Sequence, residues 1–161
     1  MKNKQTSRQI SLLAAFAAAG VEYAVVGGVA VNAHGYVRAT QDMDVFIRPT
    51  EENARAAFEA LRAMGVPLEG LEPADLLSDS ENLRFGPAED HIDILASIGE
   101  MDFEQVWRNR VETVVEGLPV VFISKADLME NKRQVGRLRD LADVEELARI
   151  PDELEGQAPG G

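Results

Sequence analysis

Between Tyr23 and Ile47 the chain reads YAVVGGVAVNAHGYVRATQDMDVFI, and this stretch constrains the fold more than any other. One apolar run leads straight into Gly27-Gly28, and a second carries Asp42 and Asp44 one residue apart. A strand places side chains i and i+2 on one face, about 6–7 Å apart along the chain. Asp42 and Asp44 then point the same way, while Met43, Val45 and Ile47 point into a core. Two like charges side by side on a sheet repel each other and resist desolvation. A divalent cation between them removes that cost, and Mg²⁺, with oxygen ligands at about 2.0–2.1 Å, suits carboxylates combined with phosphates. Glycines directly after a strand fit the same picture, because backbone N–H groups there meet phosphate oxygens with no Cβ in the way.

A further run, Asp90-His-Ile-Asp-Ile-Leu, supplies a third carboxylate. His91 and Asp93 alternate onto one face, with Ile92 and Ile94 on the other. Asp90 is out of phase with Asp93, so Asp93 is the better candidate to join Asp42 and Asp44, and His91 shares its face. In combination these motifs resemble the nucleotidyltransferase superfamily with the DNA-polymerase-β-like fold. The pattern is an apolar residue, two small residues, a gap, Asp-apolar-Asp-apolar and a later strand Asp. Here it is Val26-Gly27-Gly28, thirteen intervening residues, Asp42-Met43-Asp44-Val45 and Asp93. Gly28 stands where many members of that family have Ser. It keeps the backbone donors and lacks the hydroxyl that contacts phosphate.

Composition narrows the class. A chain of 161 residues is expected to form one domain over 1–150, followed by a flexible tail over 151–161. The absence of cysteine excludes disulfides, thiolate metal sites and a Cys nucleophile. Leu12–Ala19 is too short to span a bilayer, so no membrane association is expected and a cytoplasmic location is the default. A net charge of −12 opposes nonspecific binding to long nucleic acids. Against that background, five basic residues gather in a short span: Lys125, Lys132, Arg133, Arg137 and Arg139.

The pattern predicts helices over 7–19, 27–33, 51–65, 103–111, 125–134 and 138–150, with Thr50 capping the third and Ser124-Lys-Ala-Asp127 forming a capping box. It predicts strands over 23–26, 42–47, 82–85, 91–96 and 118–123, with 66–80 irregular. The last helix is expected to carry Leu138, Leu141, Val144, Leu147 and Ala148 along one apolar stripe. This order of elements indicates an α/β or α+β fold: a small, mixed, twisted sheet flanked by helices and closed by a C-terminal helical hairpin.

The block from Ile123 to Asp143 resembles the tail of small bacterial nucleotidyltransferase-fold proteins grouped with the abortive-infection (AbiEii-type) toxins. That resemblance implies that Lys132, Arg137 and Asp140 line the cleft, with Lys132 reaching phosphates. The stretch Gly35-Tyr36-Val-Arg38-Ala-Thr40-Gln-Asp42-Met-Asp44 resembles related small proteins and implies site roles for Arg38 and Thr40. Asp140 or Asp143 pairing with Arg137 or Arg139 across the turn is the structural alternative.

The resemblance implies a Mg²⁺- or Mn²⁺-dependent transfer of a nucleotidyl group from an NTP to a hydroxyl acceptor. Asp42, Asp44 and Asp93 would be the catalytic and metal-holding residues, and Gly27, Gly28, Arg38, Thr40, Lys132 and Arg137 the substrate-binding ones. The acceptor is left open between a tRNA end, a protein hydroxyl and a small molecule. Small-molecule enzymes of this superfamily usually add an acceptor-binding helical domain, for which 161 residues leave little room. A homodimer could supply the missing wall, and a toxin role would imply an antitoxin protein as partner. The competing expectation is a non-catalytic member of the fold that binds a nucleotide or a partner.

Overall fold

The protein is described from a computed structural model covering residues 5–39, 42–152 and 154. Its first helix, α1 (Ser7–Ala19), starts at Thr6, whose side chain accepts from the Gln9 backbone N–H while Gln9 returns the bond. Gly20 ends it in the left-handed conformation. Strand β1 (Tyr23–Val26) is buried along its whole length and passes directly into the short helix α2 (Gly27–Ala33). Strand β2 (Met43–Ile47) follows, then helix α3 (Glu51–Ala63), capped by Thr50 with Glu51 and Glu52 in the first turn, where they favour the helix dipole. A 3₁₀ turn over Pro73–Leu77 interrupts the stretch expected to be irregular.

Strands β3 (Leu83–Phe85) and β4 (Ile92–Leu95) form the anticipated antiparallel pair. Beyond them the helical expectation over 103–111 needs correction. Helix α4 stops at Arg108 (Phe103–Arg108), and Val111 opens strand β5 (Val111–Val115), which pairs antiparallel with β6 (Leu118–Phe122). Val-Glu-Thr-Val-Val alternates as an edge strand should, and Glu116-Gly117, both at positive φ, make the tight turn that a two-residue hairpin demands.

The chain closes with α5 (Lys125–Val135) and α6 (Leu138–Arg149), joined through Gly136. Ser124 caps α5 by accepting from the Asp127 N–H. The reciprocal half of the expected capping box is absent: the Asp127 carboxylate accepts instead from Gln105 and Asn109 of the α4 region. The stripe expected on α6 is also shorter. Leu147 is fully buried, but Leu138 and Leu141 are exposed.

The six strands run in the order β3-β4-β2-β1-β6-β5. β1 pairs antiparallel with β2 and parallel with β6, while β2 and β4 are parallel, so the sheet is mixed. The parallel β2–β4 pair requires a crossover, which α3 and the 3₁₀ turn supply. Helices α1 and α3 pack together, and the core runs from Leu12 and Phe16 through Val25, Val45 and Ile94 to Phe58 and Leu61. No described helix is long and apolar enough to cross a membrane. Most of the tail expected from 151 onward lies outside the described residues, although Asp152 pairs with Lys125 at 3.0 Å.

Candidate functional site

The sheet register aligns the acidic residues. Asp44 of β2 stands directly opposite Asp93 of β4, and Asp93 directly opposite Arg84 of β3. Directly opposed residues of neighbouring strands interact through their side chains, so Arg84, Asp93 and Asp44 form one row across three strands. Asp42 precedes β2 and meets His91, whose Nε2 lies 2.9 Å from Asp42 Oδ1 and 3.9 Å from Asp93 Oδ2. The other imidazole nitrogen, Nδ1, lies 3.2 Å from the Ala88 carbonyl oxygen. Asp90, the competing carboxylate, is drawn away to α1, where it accepts from Arg8 at 2.7 Å and Thr6 at 2.9 Å.

Asp44 differs from its neighbours. Among the described residues no cation lies within ion-pair distance of it. Burial, and then the charge of Asp93, push its carboxyl up to about 6, with Asp42 adding to the effect. Asp93 is held by a fork: Arg84 Nε donates to Oδ1 at 2.8 Å and Nη2 to Oδ2 at 3.1 Å. Sequence reasoning missed Arg84. Its position opposite Asp93 depends on strand register, which the residue order around Leu83-Arg84-Phe85 does not disclose.

Gly27 is the hinge of this site. Its φ is +66°, and a Cβ placed on it would stand 2.4 Å from Asp44 Oδ2. The carboxylate therefore rests against bare backbone, which only glycine permits.

Across the cleft, α5 and α6 present a second cluster. Lys132 is buried, with Nζ 2.9 Å from Asp143 Oδ2 and 3.3 Å from Asp140 Oδ1. Arg38 forks onto Asp143 with bonds of 3.0 and 2.9 Å, and its own backbone N–H is held by Asn32. Arg137 Nε donates to Asp140 at 2.6 Å. Burial works against the Asp140 carboxylate, yet Arg137 and Lys132 outweigh it and hold its pKa below the ordinary value. Lys132 is thus a buried hub between two carboxylates as well as a cleft residue. The pairing of Asp140 with Arg137 matches the structural alternative, while Asp143 bridges Lys132 and Arg38.

Between the two clusters lies a cleft of about 300 Å³, lined by Gly27, Gly28, Asp42 and Asp44 on one side and Arg38, Lys132, Arg137 and Arg139 on the other. The structure gathers the described candidates around this cleft, with Asp93 joining through Asp44; Asp140, expected to line it, is instead buried behind Lys132 and Arg137. Thr40 lies outside the described residues.

The donor chemistry fits a hard divalent cation, since hard cations take oxygen ligands. A carboxyl raised by its acidic neighbours, with no counter-cation of its own, is what such an ion would relieve. Among the described residues, however, no three acidic or imidazole side chains converge as a closed metal cage, and Arg84 covers both oxygens of Asp93. Asp42 and Asp44 line the cleft, with Asp42 also meeting His91, whereas both oxygens of Asp93 are engaged by Arg84.

The architecture is the nucleotidyltransferase fold, a mixed six-stranded sheet flanked by helices. No protein-family model and no curated protein sequence matches the chain. Solved structures do. The lincosamide antibiotic adenylyltransferase LnuA, determined with lincomycin bound, superposes with a TM-score of 0.59 at 16% identity, over 92% of this chain and 100% of that one. A candidate nucleotidyltransferase from Thermotoga maritima superposes at 0.55 and 13% identity, over 87% and 89% of the two chains. An antigenic nucleotidyltransferase-like protein from Paracoccidioides brasiliensis gives 0.50 at 12%, over 90% and 78%.

Proposed function

We propose that this protein is a divalent-cation-dependent nucleotidyltransferase that moves a nucleotidyl group from an NTP to a hydroxyl acceptor. The observation that carries the reading is the Asp44 carboxylate, which shares a hydrogen bond with Asp93, has no ion-pair cation among the described residues, and faces a basic wall across an open cleft. Asp42 and Asp44 would hold Mg²⁺ or Mn²⁺, with Asp93 joining on release of Arg84. Bound there, the cation would orient the triphosphate and stabilise charge on the entering and leaving oxygens. The chain's own groups do the rest. Arg137, Arg139 and Arg38 offer guanidiniums to phosphate oxygens, and Lys132 adds positive potential from beneath them. The backbone at Gly27 and Gly28 admits the substrate close to Asp44. Asp93, once released by Arg84, would help hold a second metal ion or accept the proton of the attacking hydroxyl.

For the acceptor we favour a small hydroxylated molecule. The neighbour matched over its full length adenylylates an antibiotic, and a chain carrying −12 repels a polyanion such as tRNA. The narrower reading, the toxin of a toxin–antitoxin pair, is supported by the resemblance of the Ile123–Asp143 block. Co-expression with the product of the adjacent gene tests it, and growth arrest relieved by that partner is the expected result. A binder without catalysis is the remaining reading, favoured by Gly28 in place of Ser.

The deciding assay supplies α-labelled NTPs, Mg²⁺ or Mn²⁺, and in parallel a panel of hydroxylated small molecules, total tRNA and cell protein. Wild type is expected to label one class, with Asp42→Ala/Asp44→Ala labelling none. NTP binding without labelling, rescued by Gly28→Ser, would establish a binder. If neither protein binds NTP nor labels anything, the reading is wrong.

A further inference from the structure

The row Arg84–Asp93–Asp44 contains a cation that contacts one of the proposed cation holders. Arg84 occupies both oxygens of Asp93, through Nε at 2.8 Å and Nη2 at 3.1 Å. The two partners are unequally fixed. The Asp93 side chain is 8% exposed and belongs to a strand with neighbours on both sides, whereas Arg84 is 60% exposed on the three-residue outer strand β3. A long guanidinium at the sheet edge swings into water without disturbing the core, while the carboxylate stays where the register puts it. The position of the fork matters as well. A guanidinium that grips both oxygens leaves Asp93 no free lobe on that side for another cation. Asp44, next in the row, receives nothing from Arg84 within ion-pair distance and keeps its repulsion with Asp93.

We infer that Arg84 is a built-in counter-ion that competes with the divalent cation for Asp93, so that cation binding and release of Arg84 are one coupled event. This rests on the reading of Asp42, Asp44 and Asp93 as cation holders. Arg84 keeps the acidic wall tolerable in the empty protein by neutralising one of its three carboxylates. The same bond lowers the wall's affinity for a cation, because the guanidinium must first be displaced. Once displaced, Arg84 stands at the rim of the site as a free guanidinium available to an anionic group.

The test uses the full chain without NTP. Mn²⁺ binding is measured by electron paramagnetic resonance of the free ion for wild type, Arg84→Gln, Arg84→Lys and Asp44→Asn. Arg84→Gln is expected to bind Mn²⁺ about three- to tenfold more tightly than wild type, the range that loss of an exposed forked pair supports. Arg84→Lys, a point charge without the fork, should fall between them, and Asp44→Asn should bind weakly. In the wild type, the Arg84 Nε–H resonance should move during a Mg²⁺ titration in step with occupancy. Equal Mn²⁺ affinity in wild type and Arg84→Gln overturns the inference while leaving the metal reading intact. Weaker binding by Arg84→Gln also overturns it, because Arg84 would then orient Asp93 for the cation. If no variant binds Mn²⁺ at all, the metal reading itself has failed, and the inference falls with it.

Discussion

The two walls of the cleft handle charge in opposite ways. On the α5–α6 wall every buried charge has a partner: Lys132 meets Asp140 and Asp143, Arg38 grips Asp143, and Arg137 grips Asp140. On the sheet wall three carboxylates crowd together, and the central one, Asp44, lacks a cation within ion-pair distance among the described residues. Paired buried charges hold a shape. A carboxylate with no ion-pair cation, pushed up to about 6 by burial and by Asp93, opposes the fold that contains it. The contrast separates the part of the cleft that maintains geometry from the part that is incomplete without a ligand.

The largest expected effect breaks the paired wall. Asp143→Ala leaves Lys132 and Arg38 with one buried carboxylate fewer, and losing a buried partner costs about 3–5 kcal/mol. Urea unfolding should show this as a large fall in midpoint at constant slope. Lys132→Ala should destabilise for the same reason, so any loss of NTP affinity in that variant must be read beside its stability.

The sheet wall should respond in the other direction. Without divalent cations, Asp44→Asn is expected to stabilise the protein at pH 7 by up to about 3 kcal/mol, the linkage value of a carboxyl raised from 3.8 to about 6. The folded protein holds this proton more tightly than the unfolded chain does. The wild type should therefore lose this contribution as pH rises from about 4 through 6, and Asp44→Asn should not. Chemical denaturation in EDTA at pH 4.5 and 7 distinguishes the two, and a gain that persists at low pH would contradict the account.

A third change tests how closely the walls are built. Gly27→Ala forces a Cβ against Asp44 Oδ2 and a left-handed backbone that costs an alanine about 1–2 kcal/mol. Its expected signature is a modest fall in melting temperature together with loss of any stabilisation by Mn²⁺. The smallest effect belongs to Arg137, 60% exposed at its ion pair. Arg137→Ala should cost less stability than Asp143→Ala, because the guanidinium is largely solvated and Lys132 still pairs with the buried Asp140. It should weaken NTP binding in a titration at low salt more than at high salt.

Local signals carried most of the fold. The Tyr23–Val26 strand into Gly27, the caps at Thr50 and Ser124, and the break near Gly136 all stand where the residue order puts them. Strand β5 escaped because Phe103–Arg108 is helical, and only Asn109 and Arg110 separate it from a β-branched run. Proximity in sequence hid a change of period. In the site, the Asp42–Asp44 pair and Asp93 were legible from alternation. Arg84 and the double engagement of Lys132 were not, because strand register and helix–helix pairing join residues whose separation along the chain carries no pattern. Leu138 and Leu141 show the converse: helical spacing marks a face, and says nothing of whether another element covers it.

The bond between Arg38 and Asp143 joins residues 105 positions apart. Closing so large a loop is entropically expensive before any contact rewards it, and distant contacts of this kind slow folding. The acidic strands β2 and β4 are complete by Leu95, long before Asp143 is synthesised. A chain leaving the ribosome therefore carries its repelling carboxylates for a time without the opposite wall. Amides of α6 are expected to exchange with solvent ahead of those in the fully buried strand β1.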